Sequence, residues 1–186
     1  MPAHRDTRFD RLRALLQAFA VRHPQDAALV HACRALLDDA QDPFRRERLA
    51  GHFTGSAWLV SADGERTLLT HHRKLDRWLQ PGGHADGDAD LARVALTEAT
   101  EESGLNGLSV DPDIFDLDRH WIPERGDVPG HWHHDVRFVV RAGDDEVFVV
   151  GDESHALAWR RVKDVADDET MDDSLRRMAR RWLARA

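Results

Sequence analysis

The sequence predicts an α/β domain preceded by a pair of helices, and two changes of hydrophobic period carry that reading. Apolar residues recur at helical spacing before about residue 40, at a period of two after Gly51, and at helical spacing again from 88 to 103. Three further β-rich runs, one more short one and a terminal amphipathic helix complete the pattern.

The bulk properties agree. At 186 residues, with 41% hydrophobic and 32% charged, the chain is long enough for one ordinary domain plus an appended element and too apolar for wholesale disorder. No apolar run approaches the roughly 18 residues of a membrane span, and the opening MPAHRDTRFD lacks an apolar stretch, so no membrane partner and a cytoplasmic address are expected. A formal charge of -8 opposes binding to duplex nucleic acid. If phosphate is the substrate, that balance calls for a bridging cation. One cysteine, Cys33, excludes an intramolecular disulfide, while 12 histidines keep a metal site in view.

In chain order, Phe9, Leu12, Leu15, Leu16 and Phe19 mark a first helix, and Pro24 punctuates before Leu29, Val30, Cys33, Leu36 and Leu37 mark a second. This pair reads as packing or as a homodimer surface. Pro43 opens a short turn. Trp58 to Val60 and Thr67 to Leu69 flank Asp63-Gly64 as a β-hairpin. Residues 88 to 103 hold no Gly or Pro, and Gly104 supplies the stop. Strands are expected at 114–122, 133–141, 147–150 and 156–162. From residue 172 onward, arginines surround the apolar stripe Leu175, Met178, Trp182, the mark of a docked helix.

Glu98, Glu101 and Glu102 fall at i, i+3, i+4, within about a 100° arc of the central helix. Glu98 and Glu102 repel as an i, i+4 pair by roughly 0.2–0.5 kcal/mol. No Lys or Arg between 94 and 118 relieves them. Glu101 and Glu102 also oppose the helix dipole in the last turn, by a few tenths to about 1 kcal/mol. A hard divalent cation turns each of these penalties into an attraction, since Mg²⁺ takes oxygen ligands and Mn²⁺ can substitute. Upstream, Pro81-Gly82-Gly83 lets backbone approach a ligand closely.

Residues 83–105, GHADGDADLARVALTEATEESGL, resemble the signature box of the Nudix hydrolase family, G-x5-E-x7-R-E-U-x-E-E-x-G-U with U bulky and apolar. Gly83, Glu98, Glu101, Glu102, Gly104 and Leu105 match in register. The early Glu of the box falls on Ala89 and its Arg on Thr97. Asp88 or Asp90 could supply the early acid after a one-residue shift. The resemblance covers about residues 52 to 165 and implies a Nudix-type α/β/α sandwich with a mixed sheet. It divides the chain into a helical extension at 1–50 and a Nudix-like hydrolase domain at 51–186.

The resemblance further implies Mg²⁺-dependent hydrolysis of a diphosphate linkage in a nucleoside diphosphate derivative or a nucleoside triphosphate. Glu98, Glu101, Glu102 and the Gly82 carbonyl would be metal ligands, and Glu98 or Glu153 the general base. Arg73 would face substrate. His131, His133, Asp135 and Arg137 share one strand face by alternation, with Val136, Phe138 and Val140 on the other. His133 and Asp135, with His84, are expected to contact substrate; the competing readings for the histidines are a solvated strand end with no role and, behind it, a transition-metal site. The departures at Ala89 and Thr97 motivate an alternative, a nucleotide-binding or sensing domain with impaired turnover. Isomerisation of an isoprenoid diphosphate is disfavoured, because Cys33 lies outside the resemblance.

Overall fold

The computed structural model describes residues 7–152 and 154–185. Helices α1 (Asp10–Arg22) and α2 (Ala27–Leu37) lead into β1 (Gly51–Val60), β2 (Arg66–His72), β3 (Arg77–Leu79), β4 (Gly82–His84) and α3 (Leu91–Ser103). Then come β5 (Ser109–Ile122), β6 (His131–Arg141), β7 (Ser154–Arg161), α4 (Val162–Asp167) and α5 (Asp173–Leu183).

The strands form one mixed sheet in the order β3-β2-β1-β6-β5, with β4 also paired to β1 and β7 to β2. Only β1 and β6 run parallel, in unbroken register from Gly51↔Trp132 to Val60↔Arg141. Parallel strands need cover on both faces, and β1 is buried along its whole length. One face carries α1, α2 and α3 over Phe53, Ala57, Leu59, Val136, Phe138 and Val140; the other carries α4 and α5 over Trp58, Val60, Phe115 and Val139. This is the expected α/β/α sandwich.

The hairpin at Asp63-Gly64 forms, with Gly64 at φ +73, but it pairs β1 with β2 only at Val60↔Thr67. Beyond that tip the strands diverge. β2 turns to β7 and β3, while β1 takes β4 at Thr54↔His84 to Ser56↔Gly82.

The apolar stripes of α1 and α2 are turned onto the chain's own sheet: Leu12, Leu16, Phe19, Val30, Cys33, Leu36 and Leu37 share one core with Phe44 and Phe53. Arg181 of α5 ties this unit down from the far side by pairing with both Asp26 (2.7 Å) and Asp116 (2.8 Å). Burial pushes the Cys33 thiol up to about 12, so it is a core residue without nucleophilic character. The terminal helix docks as expected, with Leu175 and Met178 buried and the Trp182 indole donating to the Gly64 carbonyl at 2.8 Å.

One expected strand is absent. Residues 147–150 form a loop in which Val147, Val149 and Val150 are exposed and only Phe148 packs on the core. β-propensity expresses itself only against a partner strand, and here the Val149 amide goes instead to the Ser103 carbonyl at the end of α3 (2.8 Å). No helix among the described residues is long and apolar enough to cross a membrane.

Candidate functional site

Helix α3 is held rigidly at both ends. Asp90 caps its start by accepting from the Arg93 amide, and Gly104, at φ +69, closes its end with a bond to the Thr100 carbonyl (2.9 Å). Its apolar face is made of Leu91, Val94, Ala95 and Ala99. That face lies so close to β1 that a Cβ on Gly55 would stand 2.9 Å from the Leu91 carbonyl oxygen. The acidic trio therefore sits on the adjoining arc, with Glu98 and Glu102 half-buried and Glu101 exposed.

The glycine pair meets that arc. β4 is pinned to β1 by Gly83↔Gly55 and Gly82↔Ser56, and the Gly82 amide donates to Glu102 Oε1 at 2.9 Å. A Cβ on Gly83 would lie 2.2 Å from Glu98 Oε1, so the absence of a side chain there is what admits the carboxylate. Gly82, Glu98 and Glu102, expected from sequence to act together, are thus brought together. The recorded contact of Gly82 is through its N–H, whereas the expected ligand is its carbonyl.

Three further features qualify the sequence reading. Asp88 and Asp90 are engaged elsewhere: Asp88 takes both arms of Arg93 (2.7 and 2.6 Å), and Asp90 pairs with Arg11 at 2.6 Å. Asp90, the N-cap, precedes Glu98 by eight residues, about 12 Å at 1.5 Å rise per residue, and Asp88 lies before the helix begins. Thr97 is exposed. A residue the sequence reading missed is Arg46, which grips Asp86; that hydrogen bond chiefly holds its guanidinium above the ordinary range, with Glu98 a minor contributing charge. No local signal marks Arg46, because it lies in the connection after α2 and meets Asp86, 40 residues on, only through the fold.

On the opposite face of the sheet, Asp135 is buried and accepts from Thr54 Oγ1 (2.9 Å), Ser56 Oγ (2.7 Å), Gln80 Nε2 (3.4 Å) and Arg137 Nε (2.7 Å). Arg137, itself buried, also pairs with Asp116 and Asp118 at 3.2 Å, and Arg177 of α5 pairs with the same two. Burial alone would raise the Asp118 carboxyl, but the His120 hydrogen bond and the charges of Arg137 and Arg177 outweigh it and hold Asp118 well below the usual carboxylate range.

Beside Asp135 lies a histidine cluster. His133 packs against His52 (4.9 Å between ring centroids), His84 (5.0 Å), His131 (5.1 Å) and His120 (5.3 Å). Burial, then the Arg46 charge for His84 and the crowding of other imidazoles for His133, pushes His84 down to about 4 and His133 to about 2, so both rings are neutral in ordinary buffers. The sequence reading missed His52, which is the register partner of His133 across two strands far apart in the chain. Among the described residues, the group of three metal-capable side chains whose ligand atoms all lie within 4.8 Å of one another is His52, His131 and His133, and not the glutamate trio.

Arg73 is exposed just after β2 and donates to the Ser154 carbonyl at 3.1 Å. Glu153 lies outside the described residues.

With this geometry in view, the comparisons are specific. The NUDIX domain family model matches residues 52–182. A NUDIX-family hydrolase from Clostridium perfringens is similar in structure with a TM-score of 0.57 at 21% identity, over 73% of this chain and 98% of that one. A MutT protein from Methanosarcina mazei Go1 gives 0.58 at 18% identity, over 74% and 96%. A C. elegans Ap4A hydrolase gives 0.54 at 14% identity, over 71% and 95%. At these identities the likeness establishes the fold. No curated protein matches the chain in sequence.

Proposed function

The chain belongs to the Nudix family of hydrolases, and we propose that it performs Mg²⁺-dependent hydrolysis of a diphosphate linkage in a nucleoside diphosphate derivative or a nucleoside triphosphate. One observation carries this reading: Glu98 and Glu102 flank the Gly82-Gly83 backbone at the end of a rigid helix, with Glu101 exposed beside them. The donor set fits a hard cation, because every candidate ligand is an oxygen and three of them are carboxylates. Glu98, Glu101, Glu102 and the Gly82 carbonyl would hold Mg²⁺ or Mn²⁺. When bound, such a cation neutralises the diphosphate and lowers the pKa of water.

The protein's own residues do the rest. Gly83 leaves room for Glu98 to lie against the backbone, and the Gly82 amide orients Glu102. Glu98 or Glu153 accepts the proton of the attacking water. Arg73 contributes a planar fork to substrate phosphate, and His84 and His133, as neutral rings, contribute hydrogen bonds, His133 through Nδ1, since its Nε2 faces His131. Asp135 acts at the substrate face by fixing Thr54, Ser56 and Gln80.

The test is a panel of nucleoside triphosphates, nucleoside diphosphate derivatives and dinucleoside polyphosphates with Mg²⁺, followed by product identification. A nucleoside monophosphate product is expected, and Glu101→Gln with Glu102→Gln should abolish its release. Unchanged turnover in those variants rejects the assignment. Glu98→Gln and Glu153→Gln, compared at saturating Mg²⁺ so that weaker metal binding by the Glu98 variant is compensated, separate the two candidates for the base: the true base loses kcat together with the acidic limb of its pH profile, and the other keeps both. The alternative, a nucleotide sensor with impaired turnover, is favoured by Ala89 and the exposed Thr97, and by Asp88 and Asp90 being engaged elsewhere. It is the outcome if nucleotide raises the melting temperature while no panel member is consumed.

A further inference from the structure

We propose that His52, His131 and His133 form a second metal site, separate from the glutamates, that takes a borderline transition ion of the Zn²⁺ type. Each ring offers one nitrogen, and the three lie within 4.8 Å of one another. His131 Nε2 and His133 Nε2 are 3.2 Å apart. Two nitrogens held tetrahedrally about 2.0–2.1 Å from zinc lie about 3.3 Å from each other.

The backbone sets the tautomers. His131 Nδ1 lies 2.9 Å from the Pro129 carbonyl oxygen, and His52 Nδ1 lies 3.4 Å from that of Arg48. A carbonyl only accepts, so each of these Nδ1 atoms carries the hydrogen and each Nε2 of the neutral ring is left as a lone pair. This is the arrangement in which metal-bound imidazoles are oriented by their outer partners. The His52 Nε2 lone pair is buried and has no hydrogen-bond partner, which a merely packed histidine would be expected to find.

The positions are also rigid. His52 and His133 are register partners in the parallel β1–β6 ladder, and His131 is two residues earlier on the same face of β6. His84 packs beside the three, its ring 5.2 Å from that of His52 and 5.0 Å from that of His133. Imidazole nitrogens suit Zn²⁺, Ni²⁺ or Cu²⁺ and not Mg²⁺ or Mn²⁺, so the two sites discriminate between classes of cation by ligand chemistry alone.

The test is calorimetric titration of Zn²⁺ into chelator-treated protein in saturating Mg²⁺, which keeps the carboxylates occupied. One equivalent is expected to bind, with a rise in melting temperature. His52→Gln and His131→Gln, each checked for fold by circular dichroism, should weaken binding by more than about 100-fold, since even an outer-shell partner accounts for roughly 10- to 100-fold. Glu101→Gln and Glu102→Gln should leave it unchanged. X-ray absorption at the zinc edge of the wild-type protein serves if a histidine variant fails to fold: imidazole scattering supports the site, and an oxygen-only shell overturns it. No uptake in Mg²⁺, or uptake lost in the glutamate variants and kept in the histidine ones, also overturns it.

Discussion

The Gly82 amide donates to Glu102 Oε1 at 2.9 Å across 20 residues of chain, and this bond ties the strand carrying the glycine pair to the last turn of the acidic helix. It shows why the two glycines are not equivalent. A Cβ on Gly82 would meet Ser56 at 2.2 Å from Oγ and 2.9 Å from Cα, whereas the nearest atoms to one on Gly83 are the carboxylate end of Glu98.

Gly82→Ala therefore forces backbone apart and should destabilise the protein by about 1–3 kcal/mol. Gly83→Ala should leave the melting temperature nearly unchanged, because the far end of Glu98 can swing away, and lower kcat on the order of 10²-fold through that displacement. Denaturant melts and steady-state kinetics on the two variants check the contrast.

The N-terminal helices should behave as core. Phe19 is fully buried among residues shared with the sheet, so Phe19→Ala should cost about 3–5 kcal/mol in urea unfolding. A loss below about 1 kcal/mol would mean that the helices are an appended unit whose packing hardly matters to the rest.

Arg137 faces Asp116, Asp118 and Asp135 from within the sheet. Replacing it with Met leaves buried carboxylates without that partner and should destabilise by about 3–5 kcal/mol, as breaking a buried pair does. Equilibrium unfolding at neutral pH measures it.

Acid stability should depend on Asp118. Its folded-state carboxyl is held below the ordinary value, so the stability it contributes is present above about pH 4 and is lost as pH falls from there toward the folded-state value. Asp118→Asn should be less stable at pH 7 and show a flatter loss below pH 4. A parallel decline in the two proteins contradicts the assignment.

Much of this was legible locally. Helix α3 announces itself by its formers, its Asp90 cap and the Gly104 stop, and the i, i+3, i+4 spacing of Glu98, Glu101 and Glu102 is a property of one helix that no packing can change. The valines at 147, 149 and 150 show the limit of such reading, since a strand-forming run becomes a strand only when a free edge is offered to it.

The N-terminal helix pair, the central and terminal helices, the acidic arc and the glycine pair follow from the chain alone, because each rests on interactions between residues a few positions apart. The fold settled everything that required distant segments to meet: the inward turn of the N-terminal helices, the pairing of Arg46 with Asp86, and the alignment of His52 with His133. These depend on sheet register and packing, which are set by the whole core at once and leave no periodic trace in any one stretch of sequence.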